Sequence, residues 1–206
     1  MSKSSGSSRW LQRQKKDPYV KQAHQSHYRS RAVYKLKEID EKDGLFHKGQ
    51  VVIDLGAAPG SWSQYAAEKI TGTGRIIAVD IMPMDPVEDV QFIQGDFTDR
   101  KTFEKCLQGF EKQEVDLVIS DMAPNLSGIK VTDQARSLYL AELAMELACE
   151  VLRPGGDFLV KVFQGNGADH FRRELQEHFA RIFTRKPGAS RESSREFYLL
   201  ARTFRC

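Results

Sequence analysis

Five short apolar runs recur along the chain with helical patterns between them: QVVIDLG (50–56), RIIAVDI (75–81), VQFIQGD (90–96), VDLVISD (115–121) and DFLVKVF (157–163). Runs this short and this apolar on both faces suit strands covered on both sides, and strand–helix alternation builds a parallel sheet from βαβ units. The clearest helix spans about 133–152, where Leu140, Leu143, Ala144, Leu147 and Val151 share one stripe ahead of the LRPGG stop. A shorter helix is predicted across SRAVYKLKEIDEK, capped by Ser30 and stopped by Gly44. Two further strand patterns, ARIFTRK (180–186) and REFYLLAR (195–202), are separated only by a polar loop. That connection has no room for a crossover helix, so the two strands pair antiparallel. The predicted fold is α/β: a mostly parallel sheet ending in a C-terminal antiparallel hairpin, with helices on both faces.

At 206 residues and 40% hydrophobic content, the chain suffices for one domain with a substantial core. No segment approaches the roughly 18 consecutive apolar residues of a membrane span, and the opening residues lack the apolar stretch of a signal peptide. A cytoplasmic protein is expected, with no membrane association. Cys106, Cys149 and Cys206 form no C-x-x-C pair, which argues against a disulfide framework or a zinc site. His24 and His27 are spaced H-x-x-H without an acidic ligand, and His170 and His178 lie on a polar helix pattern. No metal is expected.

The formal charge of +3 hides an asymmetry. Residues 1–37 hold ten Lys/Arg against one acid, a net of +9, which leaves 21 basic and 27 acidic residues in 38–206, a net of −6. Trp10, Tyr19, Tyr28 and Tyr34 are interleaved with the basic residues. Cations for phosphates and rings for bases together suit nucleic acid, although a charge run of this kind also serves as a solvated surface.

Doubly wound sheets bind ligands at the carboxyl ends of their strands, and Asp54, Asp80, Asp96 and Asp121 stand at such ends. The first strand runs into DLGAAPGSW, where Gly56 permits a tight turn and Gly60 allows backbone to approach a ligand at a helix N-terminus. The pattern is not G-x-G-x-x-G, which weakens a dinucleotide reading. Asp80 follows Gly60 at the spacing of a ribose-binding acid, and Asp96 is placed for an adenine amino group. Together these describe a nucleoside with an amino-acid tail, the shape of S-adenosyl-L-methionine.

Within DFLVKVF, Phe158, Val160 and Val162 share one strand face, and Leu159, Lys161 and Phe163 share the other. Lys161 is the anomaly, because an ammonium on a covered strand needs water or carboxylate partners.

Five blocks, RSRAVYKLKEI, VVIDLGAAPGSWSQ, SDMAPN, LVKVFQG and SREFY, resemble the FtsJ (RlmE) family of ribosomal-RNA ribose 2′-O-methyltransferases, from residue 8 to the C-terminus. The resemblance implies a seven-stranded Rossmann-like methyltransferase sheet and S-adenosyl-L-methionine as methyl donor. It also implies a uridine of large-subunit, 23S-type ribosomal RNA as acceptor, in the course of ribosome assembly. A Lys-Asp-Lys-Glu catalytic tetrad then falls on Lys35, Asp121, Lys161 and Glu196, and donor-binding positions fall on Gly60, Trp62, Asp80, Asp96 and Asp121, beside Gly56 in the same loop. Ser61 stands where many relatives are expected to carry glycine. Arg29, Arg31 and Lys35 are expected to contact RNA. The implied organisation is a basic, partly disordered arm over 1–28 and a methyltransferase domain over 29–206, with no obligate protein partner. Rival readings are a 2′-O-methyltransferase of another RNA such as tRNA, a methyltransferase of small molecules or proteins, a nicotinamide-dependent oxidoreductase and a non-catalytic RNA-binding module.

Overall fold

The computed structural model describes residues 17–108, 114–125, 127–192 and 194–205. The Ser/Gly-rich opening, Trp10, the basic residues ahead of Asp17, and Cys206 lie outside the described residues. The strands are β1 (Val51–Leu55), β2 (Arg75–Asp80), β3 (Val90–Gln94), β4 (Val115–Ser120), β5 (Leu152–Phe163), β6 (Phe179–Arg185) and β7 (Glu196–Phe204). They form one seven-stranded sheet in the order β3-β2-β1-β4-β5-β7-β6. β1 to β5 pair in parallel, and β7 inserts between β5 and β6, antiparallel to both.

The helices are α1 (Pro18–Gln25), α2 (Val33–Asp43), α3 (Ser61–Ile70), α4 (Arg100–Gln108), α5 (Lys130–Val151) and α6 (Ala168–His178). Successive strand residues point to opposite faces, so each central strand feeds two cores. Ile53, Leu55, Val118, Phe158, Val160 and Val162 meet Ala144, Leu147 and Val151 of α5 and Phe171 of α6. Val52, Leu117, Ile119, Leu159 and Leu200 meet Leu36 and Ile39 of α2 and Trp62 and Tyr65 of α3. Truncating a fully buried ring here, such as Phe158→Ala, would cost about 3–5 kcal/mol. No described helix is long and apolar enough to cross a membrane.

Two local features differ from the sequence-based expectation. Helix α2 begins at Val33 rather than after Ser30, because the Ser30 hydroxyl sits 2.7 Å from Ser61 Oγ and accepts the Ala32 N–H at 3.2 Å. Gly44 does end this helix, with φ +61° and its N–H on the Asp40 carbonyl. Strand β5 begins at Leu152, earlier than the 157 expected, since LRPGG is already extended and pairs with β4 through a register shift between Val115 and Leu117. From Asp17 onward the N-terminal segment is helix α1 packed on the domain. Asp17 caps it by accepting the Tyr19 N–H, Ala23 is buried, and Tyr19 and Tyr28 flank Tyr34 with ring centroids 5.5 and 6.4 Å away.

Candidate active site

Because β1 to β4 are parallel, their carboxyl ends meet along one edge, where the loops after them form a cleft of about 560 Å³. Gly56 starts the loop after β1 with φ +76°, and a Cβ there would lie 2.7 Å from Met122 Cγ. Only glycine lets this loop pass so close to the segment after β4. The Asp80 carboxylate accepts the Ala58 N–H at 2.9 Å and the Met82 N–H at 2.8 Å, tying the loops after β1 and β2 together. Asp96 accepts both the N–H and the hydroxyl of Thr98 through Oδ1. Gly56, Asp80, Asp96 and Asp121 all line this cleft. Ile81, Met82 and Tyr139 line it too, each more than half exposed, a set of apolar surfaces that a flat base would cover.

Gly60 and Trp62 do not line the cleft with side-chain space. Gly60 caps α3 at φ +105°, and Trp62 is buried, donating its indole N–H to the Ala32 carbonyl at 2.8 Å and packing 5.8 Å from the Tyr198 ring. What this turn supplies is main-chain N–H groups at a helix start, which have no intrahelical acceptor and favour an anionic group. Asp54 is fully buried under the loop, with the Ser63 hydroxyl donating to Oδ2 at 2.6 Å and Oδ1 unpartnered. Burial pushes its carboxyl up to about 7 against the Ser63 bond, with the charges of Asp121 and Asp80 adding to the rise.

A second cleft, of about 550 Å³, opens on the other side of the β4 end and shares Ala123 with the first. Lys35, Lys161 and Glu196 line it together with Arg31, Lys130 and Arg191. Lys161 Nζ lies 3.0 Å from Asp121 Oδ1 and donates to the Asp121 carbonyl at 2.5 Å. Lys35 Nζ lies 2.7 Å from Glu196 Oε1, with both side chains only 11% exposed. Lys35, at the start of α2, thus reaches the beginning of β7, while Lys161 at the end of β5 reaches the segment after β4. The partners that the strand sequence demanded for Lys161 are the carboxylate and the carbonyl of Asp121.

Tyr198 was not singled out from the sequence. It pairs with Lys161 across β5 and β7, donates its hydroxyl to Asp121 Oδ1 at 2.6 Å, and presents its ring 5.9 Å from Lys35 Nζ. The signal was available: Glu196 and Tyr198 are two apart on one strand and so share a face. Burial pushes the Asp121 carboxyl up, but the Lys161 and Lys35 ammoniums and the Tyr198 hydroxyl outweigh it and hold Asp121 below the usual carboxylate range. The same contest at Glu196, burial against the Lys35 charge and hydrogen bond, also ends below that range. The Tyr198 hydroxyl is driven well above its ordinary value, first by burial and then by Asp121 and Glu196, and so remains a donor.

The two arginines expected at RNA are both engaged inside the protein. Arg31 pairs with Asp17 at 3.1 Å and donates to the Ala189 carbonyl at 2.6 Å, while still lining the second cleft. Arg29 lines neither cleft; its guanidinium is spent on the carbonyls of Pro59, Asp85 and Pro86. Among the described residues no group of three or more His, Cys, Asp or Glu is placed to hold a metal ion.

A seven-stranded sheet with a single reversed strand next to the edge, and a carboxylate-lined cleft at its β1–β4 ends, defines an α/β enzyme of the methyltransferase class. The chain belongs to the FtsJ-like methyltransferase family, whose model matches residues 28–204. A relative from Alkalilimnicola ehrlichii named ribosomal RNA large subunit methyltransferase E is 56% identical over 199 residues, covering 97% of this chain and 95% of the relative. One of the same name from Pseudomonas aeruginosa strain PAO1 is 55% identical over 205 residues, covering 100% of this chain and 99% of the relative. A crystal structure described as a ribosomal RNA methyltransferase from Plasmodium falciparum superposes with a TM-score of 0.76 at 29% identity, over 86% of this chain and 98% of that one.

Proposed function

We propose that the chain transfers a methyl group from S-adenosyl-L-methionine to the ribose 2′-hydroxyl of a uridine in large-subunit ribosomal RNA, in the cytoplasm. The observation that carries this reading is the meeting of Lys35, Asp121, Lys161 and Glu196 where a carboxylate-lined cleft joins a cation-lined one. The names of the full-length relatives support the ribosomal substrate.

The first cleft suits the donor. Asp80 and Asp96 offer acceptors for ribose hydroxyls and a base amino group, Ile81, Met82 and Tyr139 offer apolar cover, and Gly56 and Ala58 bring the backbone of the glycine loop to the same cleft. The bound donor supplies an activated methyl on a sulfonium. The protein's part is to align the acceptor oxygen and manage its proton, and alignment alone can lower a barrier by about 7–11 kcal/mol. Lys161, fixed by both the carboxylate and the carbonyl of Asp121, faces the second cleft, where it orients the hydroxyl and offsets the charge that grows on oxygen. Asp121 stays ionised and holds Lys161 in place with Tyr198 as its second donor. Glu196 restrains Lys35, which adds a second positive charge at the acceptor side. Lys130 and Arg191 line that cleft as counter-charges for phosphates, with Arg31 beside them in its pair with Asp17, and RNA is selected over DNA because only RNA has the 2′-hydroxyl.

The test is incubation with methyl-labelled S-adenosyl-L-methionine and large ribosomal subunits lacking the modification, followed by mass-spectrometric mapping. A label on a ribose of a large-subunit uridine is expected. A label on a base, on tRNA or on protein would overturn the reading.

A further inference from the structure

The stretch leading to Lys35 is joined bond by bond to α3, the helix that follows the glycine loop. The His27 carbonyl accepts from Gln64 Nε2 at 3.3 Å, the Tyr28 hydroxyl donates to Glu68 at 2.7 Å, and the Arg29 N–H donates to Gln64 Oε1 at 3.0 Å. Ser30 meets Ser61, and the Ala32 carbonyl accepts the Trp62 indole. Arg29 reaches beyond this seam to two loops. Its Nη1 donates to the carbonyls of Pro59 at 3.0 Å and Asp85 at 2.6 Å, and its Nη2 donates to that of Pro86 at 2.6 Å.

Three carbonyls from two different loops therefore converge on one planar cation. One loop is the glycine loop between β1 and α3; the other follows β2 and begins with Ile81 and Met82, which line the donor cleft. The two loops are in direct contact at the same spot. A Cβ on Gly60 would come within 2.8 Å of both Arg29 Nη1 and Met84 Sδ, and within 3.2 Å of Val87 Cγ2. An arginine kept for phosphate would turn its N–H fork outward, whereas this one is turned onto main-chain oxygens.

We infer that Arg29 is a positioning residue for the methyl donor: it clamps the loop after β2 onto the glycine loop and ties that donor-side wall to the stretch that delivers Lys35. The inference rests on the methyl-transfer reading above and gives Arg29 a task other than RNA contact. Without the clamp, the 81–88 loop must be ordered when the donor binds, and that ordering is subtracted from affinity. Lysine keeps the charge but cannot span three carbonyls, so it separates geometry from charge.

The experiment compares wild type, Arg29→Ala and Arg29→Lys in three measurements. Calorimetry with S-adenosyl-L-homocysteine reads the donor site; anisotropy with a ribosomal RNA fragment over a salt series reads the acceptor side; amide hydrogen exchange reads the free protein. Both variants are expected to bind S-adenosyl-L-homocysteine roughly tenfold or more weakly, to raise KM for S-adenosyl-L-methionine, and to exchange faster at 81–88, with the RNA salt slope unchanged. Unchanged exchange at 81–88 together with unchanged S-adenosyl-L-homocysteine affinity overturns the clamp. So does full recovery by lysine with a salt slope lowered by about one in the alanine variant, the signature of a phosphate contact. If wild type itself binds no S-adenosyl-L-homocysteine, the methyl-transfer reading fails, and the exchange rates at 81–88 still decide the clamp. Arg29→Lys, which retains one charged donor, serves if the alanine variant does not fold.

Discussion

Lys161 and Tyr198 sit opposite one another on β5 and β7 and converge on a single oxygen, Asp121 Oδ1, at 3.0 and 2.6 Å. A half-buried carboxylate with two such donors is kept charged, and a lysine with such an anchor is kept still. Tyr198→Phe removes one donor and lets the Asp121 pKa rise. A carboxylate held below its usual range supports function above its pKa and loses it as pH falls through that value. The acid limb of the pH–kcat/KM profile should therefore move to higher pH in Tyr198→Phe. An unmoved limb would detach Tyr198 from the chemistry.

The Lys35–Glu196 pair is short and largely withdrawn from water, at 2.7 Å with 11% exposure on each side. Removing Glu196 alone strands an ammonium, so Glu196→Ala should cost more stability than its lost contact, and Lys35→Ala in the same chain should recover part of that cost. A double-mutant cycle by chemical denaturation should give a coupling of roughly 1–3 kcal/mol, whereas additive losses would mean that the pair is not formed in solution.

Asp54 offers a stability test remote from turnover. Its carboxyl is raised from an ordinary 3.8 to about 7, chiefly by burial. The folded chain thus holds a proton that the unfolded chain releases, so the stability contributed is complete below 3.8 and lost as pH rises through about 7. Asp54→Asn is neutral throughout and should escape that loss. Its stability relative to wild type should rise by up to a few kcal/mol between pH 4 and pH 8 in urea denaturation. A pH-independent difference would mean that Asp54 is ionised in the fold.

Asp80 joins two loops through Ala58 and Met82 and lines the first cleft, the proposed donor site. Asp80→Asn should weaken S-adenosyl-L-methionine binding roughly 10–100-fold by calorimetry, the range expected when hydrogen bonds to a charged acceptor are lost. Unaltered affinity would remove Asp80 from the donor site.

The sheet was readable because β-strand residues alternate between two cores. In β4, Leu117 and Ile119 face one core while Val118 faces the other, and apolar runs of this kind have no other stable use in a chain with intervening helices. The position of β7 between β5 and β6 was less accessible, since a short loop requires only that neighbours be antiparallel and does not order them in the sheet. Lys161 announced itself as a charge on an apolar strand, but its partners come from positions 40 or more residues away or across the sheet, where sequence spacing carries no distance information. Arg29 was legible only in part. A basic residue in a basic segment reads as a surface cation, yet its bonds run to three main-chain carbonyls, and carbonyl oxygens leave no trace in side-chain identity. The same holds for Ser30, whose hydroxyl is drawn to Ser61 instead of capping α2.

The proposed role of Lys161, held by Asp121 where the two clefts meet, is to act on the acceptor oxygen and not on donor binding. Single-turnover methyl transfer by Lys161→Ala, measured beside its calorimetric affinity for S-adenosyl-L-methionine, addresses this directly. Transfer slowed by about 10²–10³-fold with donor affinity within about twofold of wild type is the expected result. Transfer at a near-normal rate, or a loss explained wholly by weaker donor binding, would contradict it.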